Sequence, residues 1–210
     1  MKKTHFSSRY LLEKNGDFVI HDYNQTRPVA SFFPGIAGLF GIPLWVFYVN
    51  RGQCISSVGI RSKDEAIMEF LPANKAYQLT SSQGFRTFIK IKTRNDNVYY
   101  EPFSIREGIL NPAIRNKMVI RPFDLRLVEN NPALGLEIAV SYFSVPGEPF
   151  AALARELVLR NISKKALDIE LLDGVSVIVP YGVNNFFLKE MSRTIEAWMA
   201  VEMPQKGVPV

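Results

Sequence analysis

Four consecutive residues, Asn50-Arg51-Gly52-Gln53, combine an arginine fork with two side-chain amides just after an apolar run. A planar guanidinium flanked by amides is suited to gripping a planar polar ligand, because it offers several donors in fixed directions. The same four residues also suit a β-turn whose Asn and Gly set the backbone. Tyr181, Gly182 and Asn184 form a second candidate binding group, where sheet gives way to helix, and capping is the competing role. Asp168 and Glu170 share one face of an alternating strand, which fits a solvated edge better than an acid and base pair. Glu65 and Glu69 would be neighbours on a helix and carry the same solvated reading.

Other chemistries find little purchase. His5, His21 and the one cysteine, Cys54, make no ligand set with the spacing of a zinc or other soft-metal site, and no catalytic residue or cofactor is assigned. The glycines between Pro34 and Gly41 are not followed by Gly-Lys-Ser or Gly-Lys-Thr, so a phosphate-binding loop is not indicated. Neither histidine comes with an elbow serine, so no Ser-His-Asp triad can be argued.

These residues need elements to position them. No charge interrupts the chain between Arg27 and Arg51. A membrane helix needs about 20 apolar residues, but Pro34 and Pro43 would each cost about 3 kcal/mol inside a helix, and three glycines about 1 kcal/mol each. We read Pro34 to Ile42 as a tight glycine loop feeding a central, fully buried strand, Leu44 to Val49. The 210 residues, 47% of them hydrophobic, can fill a sizeable core, and a net charge of +5 with scattered basic residues does not point to nucleic acid. The start of the chain lacks an apolar signal region, and a single cysteine fits a reducing cytoplasm.

Strands are expected at Arg9 to Leu12 and Asp17 to Asp22 around an Asn-Gly turn, and at Gln53 to Ile60. Phe85 to Lys92 should pair with Val98 to Pro102, and Asn116 to Arg121, Asp124 to Asn130 and Leu136 to Val145 follow. Glu156 to Asn161 and Ala166 to Leu172 read as a hairpin joined by Ile162-Ser163-Lys164-Lys165. Glu65 to Leu71 fits either a helical turn or a strand, ended by Pro72-Ala73-Asn74. From Asn185 to Val201, Leu188, Met191, Ile195 and Trp198 recur at helical spacing. The expected architecture is all-β: an antiparallel sandwich over residues 1–182, then a C-terminal helical segment over 183–210 that leads into further chain.

Several stretches resemble one family. Phe18 to Asn24, Ser31 to Gly38, Gly41 to Trp45, Tyr48 to Gln53, Pro72 to Gln78, Gly84 to Phe88, Asp173-Gly174 and Pro180-Tyr181-Gly182 look like the amino-terminal region of cellobiose phosphorylase-like proteins of glycoside hydrolase family 94. The branch acting on β-1,2-linked glucose oligomers is the most similar. The resemblance covers nearly the whole chain. It implies a super-β-sandwich of the galactose mutarotase type, followed in such enzymes by a linker, an (α/α)6 barrel and a β-domain. Such enzymes cleave a β-glucosidic bond with inorganic phosphate and invert the anomeric carbon. Their general acid belongs to the barrel, so this domain alone is expected to be inactive, to help form a homodimer and to shape the sugar pocket. Asn50, Arg51 and Gln53, with Tyr181 and Asn184, are its candidate substrate-binding residues. The alternative is a free-standing carbohydrate-binding module, and a third option is a membrane-associated protein organised by Val29 to Val49.

Overall fold

A computed structural model describes residues 9–33, 35–93, 96–191 and 194. The chain opens with β1 (Tyr10–Leu12) and β2 (Phe18–His21), antiparallel as the Asn-Gly turn requires. Next come β3 (Ala30–Phe33), β4 (Ile36–Ala37), β5 (Ile42–Val49), β6 (Ile55–Ile60) and β7 (Ala66–Met68). Helix α1 (Ala73–Gln83) leads into β8 (Phe85–Lys92) and β9 (Asn97–Tyr100), and α2 (Ile105–Leu110) precedes β10 (Arg115–Ile120). The rest is β11 (Asp124–Asn131), β12 (Leu136–Ser144), β13 (Leu153–Asn161), β14 (Asp168–Val175) and α3 (Asn185–Glu190).

Three antiparallel sheets result. One has six strands in the order β1-β2-β10-β11-β12-β13, one has three in the order β14-β8-β9, and the third runs β3-β5-β6-β7 with β4 also paired to β5. Their inward faces meet in one core. Leu125, Leu127, Ile138, Val140 and Tyr142 come from the first sheet, Ile89 and Ile91 from the second, and Val46, Ile55 and Val58 from the third. Period-2 alternation produces this directly: in β12, Leu136, Ile138, Val140 and Tyr142 are all buried on one side. The molecule is an antiparallel, mainly β sandwich with a few short helices.

The uncharged segment folds as expected in outline and differs in one respect. Residues 35–41 make a loop that includes β4, and β5 lies between β3 and β6. But β5 is not fully buried. Its side chains alternate, and Trp45 is 46% exposed with its indole N–H donating to the Arg61 carbonyl at 2.9 Å. Aromatic residues sit on both faces of this strand, so hydrophobicity alone conceals the alternation. No helix of the described residues is long and apolar enough to cross a membrane.

The expected hairpin from Glu156 to Leu172 is corrected more deeply. Strand β13 pairs with β12 and β14 pairs with β8, so Ile162 to Lys165 cross from one sheet to another. Leu157, Leu159, Leu167 and Ile169 pack on the core, but across the sandwich rather than side by side on one sheet, and Leu171, expected with them, is half exposed. Alternation reports which face is apolar and not which strand lies next to it. Of the two alternatives for Glu65 to Leu71 the strand forms, as β7, and a 3-10 turn at Lys63–Glu65 falls in the polar link before it. That run ends before Pro72 as expected, and Pro72 then stands at the N-cap of α1, where proline is tolerated because its missing N–H has no helical partner. Of the helix expected to run to Val201, α3 is described, and 192, 193 and 195–210 lie outside the described residues.

Candidate functional site

The Asn50-Arg51-Gly52-Gln53 quartet forms the turn between β5 and β6, and its first three residues are turned inward. Asn50 is fully buried. Its amide nitrogen donates to the Tyr23 carbonyl at 3.1 Å, the Thr26 hydroxyl at 2.7 Å and the Arg27 carbonyl at 2.9 Å, while its oxygen accepts from the Val29 N–H at 2.8 Å. Both amide hydrogens are committed, and the buried side chain presents nothing to a ligand at the surface. Arg51 donates to the carbonyls of Asn50 at 2.6 Å, Thr26 at 2.9 Å and Tyr23 at 3.2 Å, and its guanidinium lies 4.2 Å from the centre of the Tyr77 ring. Partial burial lowers its pKa. The arginine fork is real, but what it grips is the chain's own backbone.

Gly52 is tied from both sides: its N–H donates to the Asn24 side chain at 2.9 Å and its carbonyl accepts from the Tyr23 hydroxyl at 2.5 Å. With φ of +53° and a hypothetical Cβ 3.0 Å from the Ser81 Cα, no other residue fits without strain. Cys54 follows in the left-handed region at φ +69°. Burial pushes the Cys54 thiol pKa up, opposite to what a nucleophilic thiolate needs.

Gln53 points elsewhere, to the place where the three sheets meet. Its amide nitrogen donates to the Thr87 hydroxyl of β8 at 2.8 Å, and its amide oxygen accepts from Arg155 of β13 at 2.6 Å. The Thr87 hydroxyl also accepts from Arg155 at 3.1 Å and donates to Asp173 of β14 at 2.6 Å. Arg155 completes a two-pronged pair with Asp173, one prong at 2.9 Å, and the Tyr142 hydroxyl donates to the Gln53 carbonyl at 2.9 Å. This is a charged, hydrogen-bonded clamp joining the turn between β5 and β6 to β8, β12, β13 and β14. Beside it lies a pocket of about 230 Å³ lined by Gly52, Gln53, Ser81, Arg86, Glu101 and Arg106, among others. Arg86 is held there by Glu101 through two bonds at 2.7 and 3.0 Å.

The second candidate group does not join this site. Tyr181 is fully exposed, at the rim of a separate groove with Arg61 and Glu65. Asn184 caps α3 by accepting from the Phe187 N–H at 3.0 Å, the competing role named for it. Asp168 and Glu170 form a solvated edge: Glu170 pairs with Lys92 at 2.7 Å and Lys90 at 2.9 Å, and these hydrogen bonds hold its carboxyl down at about 2. His21 is exposed, and the described residues contain no group of three His, Cys, Asp or Glu placed to hold a metal.

Sequence reasoning passed over Arg155 and Glu129, although both carry a signal. Arg155 interrupts the inward series Leu153, Leu157, Leu159 of β13, and Glu129 continues the inward series Leu125, Leu127 of β11. A charge in the core register of a strand needs a partner, so it marks a built polar site. Among known proteins, no family model matches the chain and no curated protein is significantly similar to it.

Proposed function

We propose that this chain is the amino-terminal super-β-sandwich domain of an inverting glycoside phosphorylase acting on β-linked gluco-oligosaccharides, of the galactose mutarotase type and similar to glycoside hydrolase family 94. By itself it is non-catalytic and serves assembly and the shaping of a sugar pocket completed by an (α/α)6 barrel. The observation that carries this reading is where the resembling motifs converge. Tyr23, Asn24, Asn50, Arg51, Gly52, Gln53, Thr87 and Asp173 all belong to those motifs, and all spend their polar groups on knitting the sheets together. Motifs of that kind suit a scaffold that holds loops for a neighbouring active site. An assembly role draws support from the apolar surface around the glycine loop, where Phe40 is 89% and Phe123 83% exposed, with Ile36, Leu39, Phe143 and Phe150 nearby.

The test is to incubate the purified chain with sophorose-type oligosaccharides and inorganic phosphate. No glucose 1-phosphate should form, and its release would contradict the reading. A dimeric state by sedimentation that is lost in a Phe40→Ser, Phe123→Ser double variant supports assembly, and an oligomeric state unchanged by both substitutions counts against it. An (α/α)6 barrel with a carboxylate-bearing loop in the downstream coding sequence would complete the enzyme.

One observation favours a second reading, a free-standing carbohydrate-binding module. On the outer face of β8, β9 and β14, exposed Tyr99, Phe88 and Leu172 line a groove of about 500 Å³ rimmed by Lys90, Glu101 and Glu170. Apolar rings bordered by hydrogen-bonding charges complement a pyranose, which presents C–H faces and equatorial hydroxyls. Calorimetric titration with sophoro- and cello-oligosaccharides separates the readings. Millimolar or tighter binding that Tyr99→Ala removes favours the module, and no binding favours the accessory domain.

A further inference from the structure

Glu129 sits on the inward face of β11 at 1% exposure. One carboxylate oxygen accepts from the Tyr100 hydroxyl at 2.5 Å and the Phe103 N–H at 3.0 Å, and the other accepts from the same N–H at 3.0 Å. Every one of these donors belongs to the short segment Tyr100 to Phe103, which runs from β9 toward α2. Phe103 itself is held in the left-handed region at φ +62°, its side chain buried and its carbonyl accepting from Asn24 at 3.0 Å. The same segment, with Ser104 and Arg106, forms one wall of the pocket beside Gln53.

No Lys or Arg among the described residues reaches the Glu129 carboxyl. The groups that face it are Tyr100 from β9, Glu107 from α2, Tyr23 from the 3-10 turn at Tyr23–Gln25, and the neutral amide of Asn116 from β10. This differs from Arg155, whose charge is met by Asp173.

We propose that Glu129 is a proton-operated latch that fastens the Tyr100–Arg106 wall of the pocket to the six-stranded sheet. With the wall closed, the carboxyl is dry, and burial raises its pKa to about 7. With the wall lifted, water reaches the carboxyl and its pKa returns toward the ordinary glutamate range. Protons therefore bind the closed state more tightly, so acid closes the wall and rising pH loosens it. Ionisation above neutrality leaves a buried negative charge whose donors are all neutral, and opening the wall relieves it. The pocket that Gln53 borders becomes more accessible over that interval. The latch does not depend on what the pocket binds, so it stands or falls apart from the sugar reading.

Amide hydrogen exchange across residues 101–110, corrected for the intrinsic pH dependence of exchange, tests this on the whole chain. Between pH 5.5 and pH 8 the opening constant of this segment should rise at least tenfold and stay well above that of the amides of β5 and β12, which open only with the whole fold. Glu129→Gln keeps the shape and removes the titration, and should abolish the rise. Tyr100→Phe removes one donor to the carboxylate and should move the midpoint to higher pH while the rise persists. A flat wild-type profile, a rise that survives in Glu129→Gln, or an unmoved midpoint in Tyr100→Phe would overturn the latch.

Discussion

Two charges enter the core of the six-stranded sheet, and the protein treats them in opposite ways. Arg155 on β13 meets a carboxylate, a hydroxyl and an amide at once, and ties β8 and β14 to the turn between β5 and β6. Glu129 on β11 meets a phenol and a backbone N–H and faces no cation among the described residues. The first arrangement holds its charge at any ordinary pH, because an arginine is always protonated. The second is poised to titrate. The difference separates a fixed clamp from a movable one within a single sheet.

The comparison breaks most sharply at the clamp. Arg155→Ala withdraws donors from the buried Thr87 and Gln53 and leaves the solvent-facing Asp173 unpaired, and should cost about 2–4 kcal/mol in a urea melt. A loss under about 1 kcal/mol would show that the three sheets do not depend on it.

Next in size is the pH profile. The Glu129 carboxyl is raised in the folded state to about 7 from an ordinary value of 4.5, so folding takes up a proton. Stability from this group is therefore complete below the unfolded value and declines as pH climbs from about 4.5 to 7, by on the order of 3 kcal/mol. Glu129→Gln should flatten that slope and be the more stable protein at pH 8, which thermal melts at a series of pH values would reveal.

A smaller effect is expected at the turn. Gly52→Ala places a Cβ at 3.0 Å from the Ser81 Cα on a left-handed backbone, for a loss of about 1–3 kcal/mol in the same melt. Smallest is Asn184→Ala, which removes the α3 cap and should cost about 1 kcal/mol, read as a slight loss of helical signal. If it weakened oligosaccharide binding instead, Asn184 would belong to a site after all.

The strands were largely legible in the sequence because most of them alternate cleanly. Phe85 to Lys92 shows it, with Thr87, Ile89 and Ile91 inside and Phe88 and Lys92 outside. Pairing was legible only where a short turn dictates it, as between β1 and β2. Between β13 and β14 the four-residue link looked like a hairpin, but the two apolar faces belong to opposite walls of the core. Helix α1 was hidden because it has no apolar stripe: Ala76 and Thr80 are its buried residues, and the polar Asn74, Lys75, Gln78, Ser81, Ser82 and Gln83 fill most of the rest. Of the candidate site, the Asn50-to-Gln53 quartet stood out by its residue types. Its role was not legible, since an amide that grips a ligand and one that grips a backbone carbonyl have the same side chain. Arg155 and Asp173 lie far apart from Gln53 in the chain, and the fold that brings them together depends on the crossing that alternation cannot reveal.

The account rests on the quartet serving as a structural joint. Urea denaturation of Asn50→Ala addresses this most directly, because the substitution leaves the Val29 N–H and the carbonyls of Tyr23 and Arg27 without their buried partner. The account predicts a large drop in the midpoint, with a loss of about 2–4 kcal/mol and an unchanged slope. A variant as stable as the parent would contradict it and return Asn50 to the list of ligand-gripping residues.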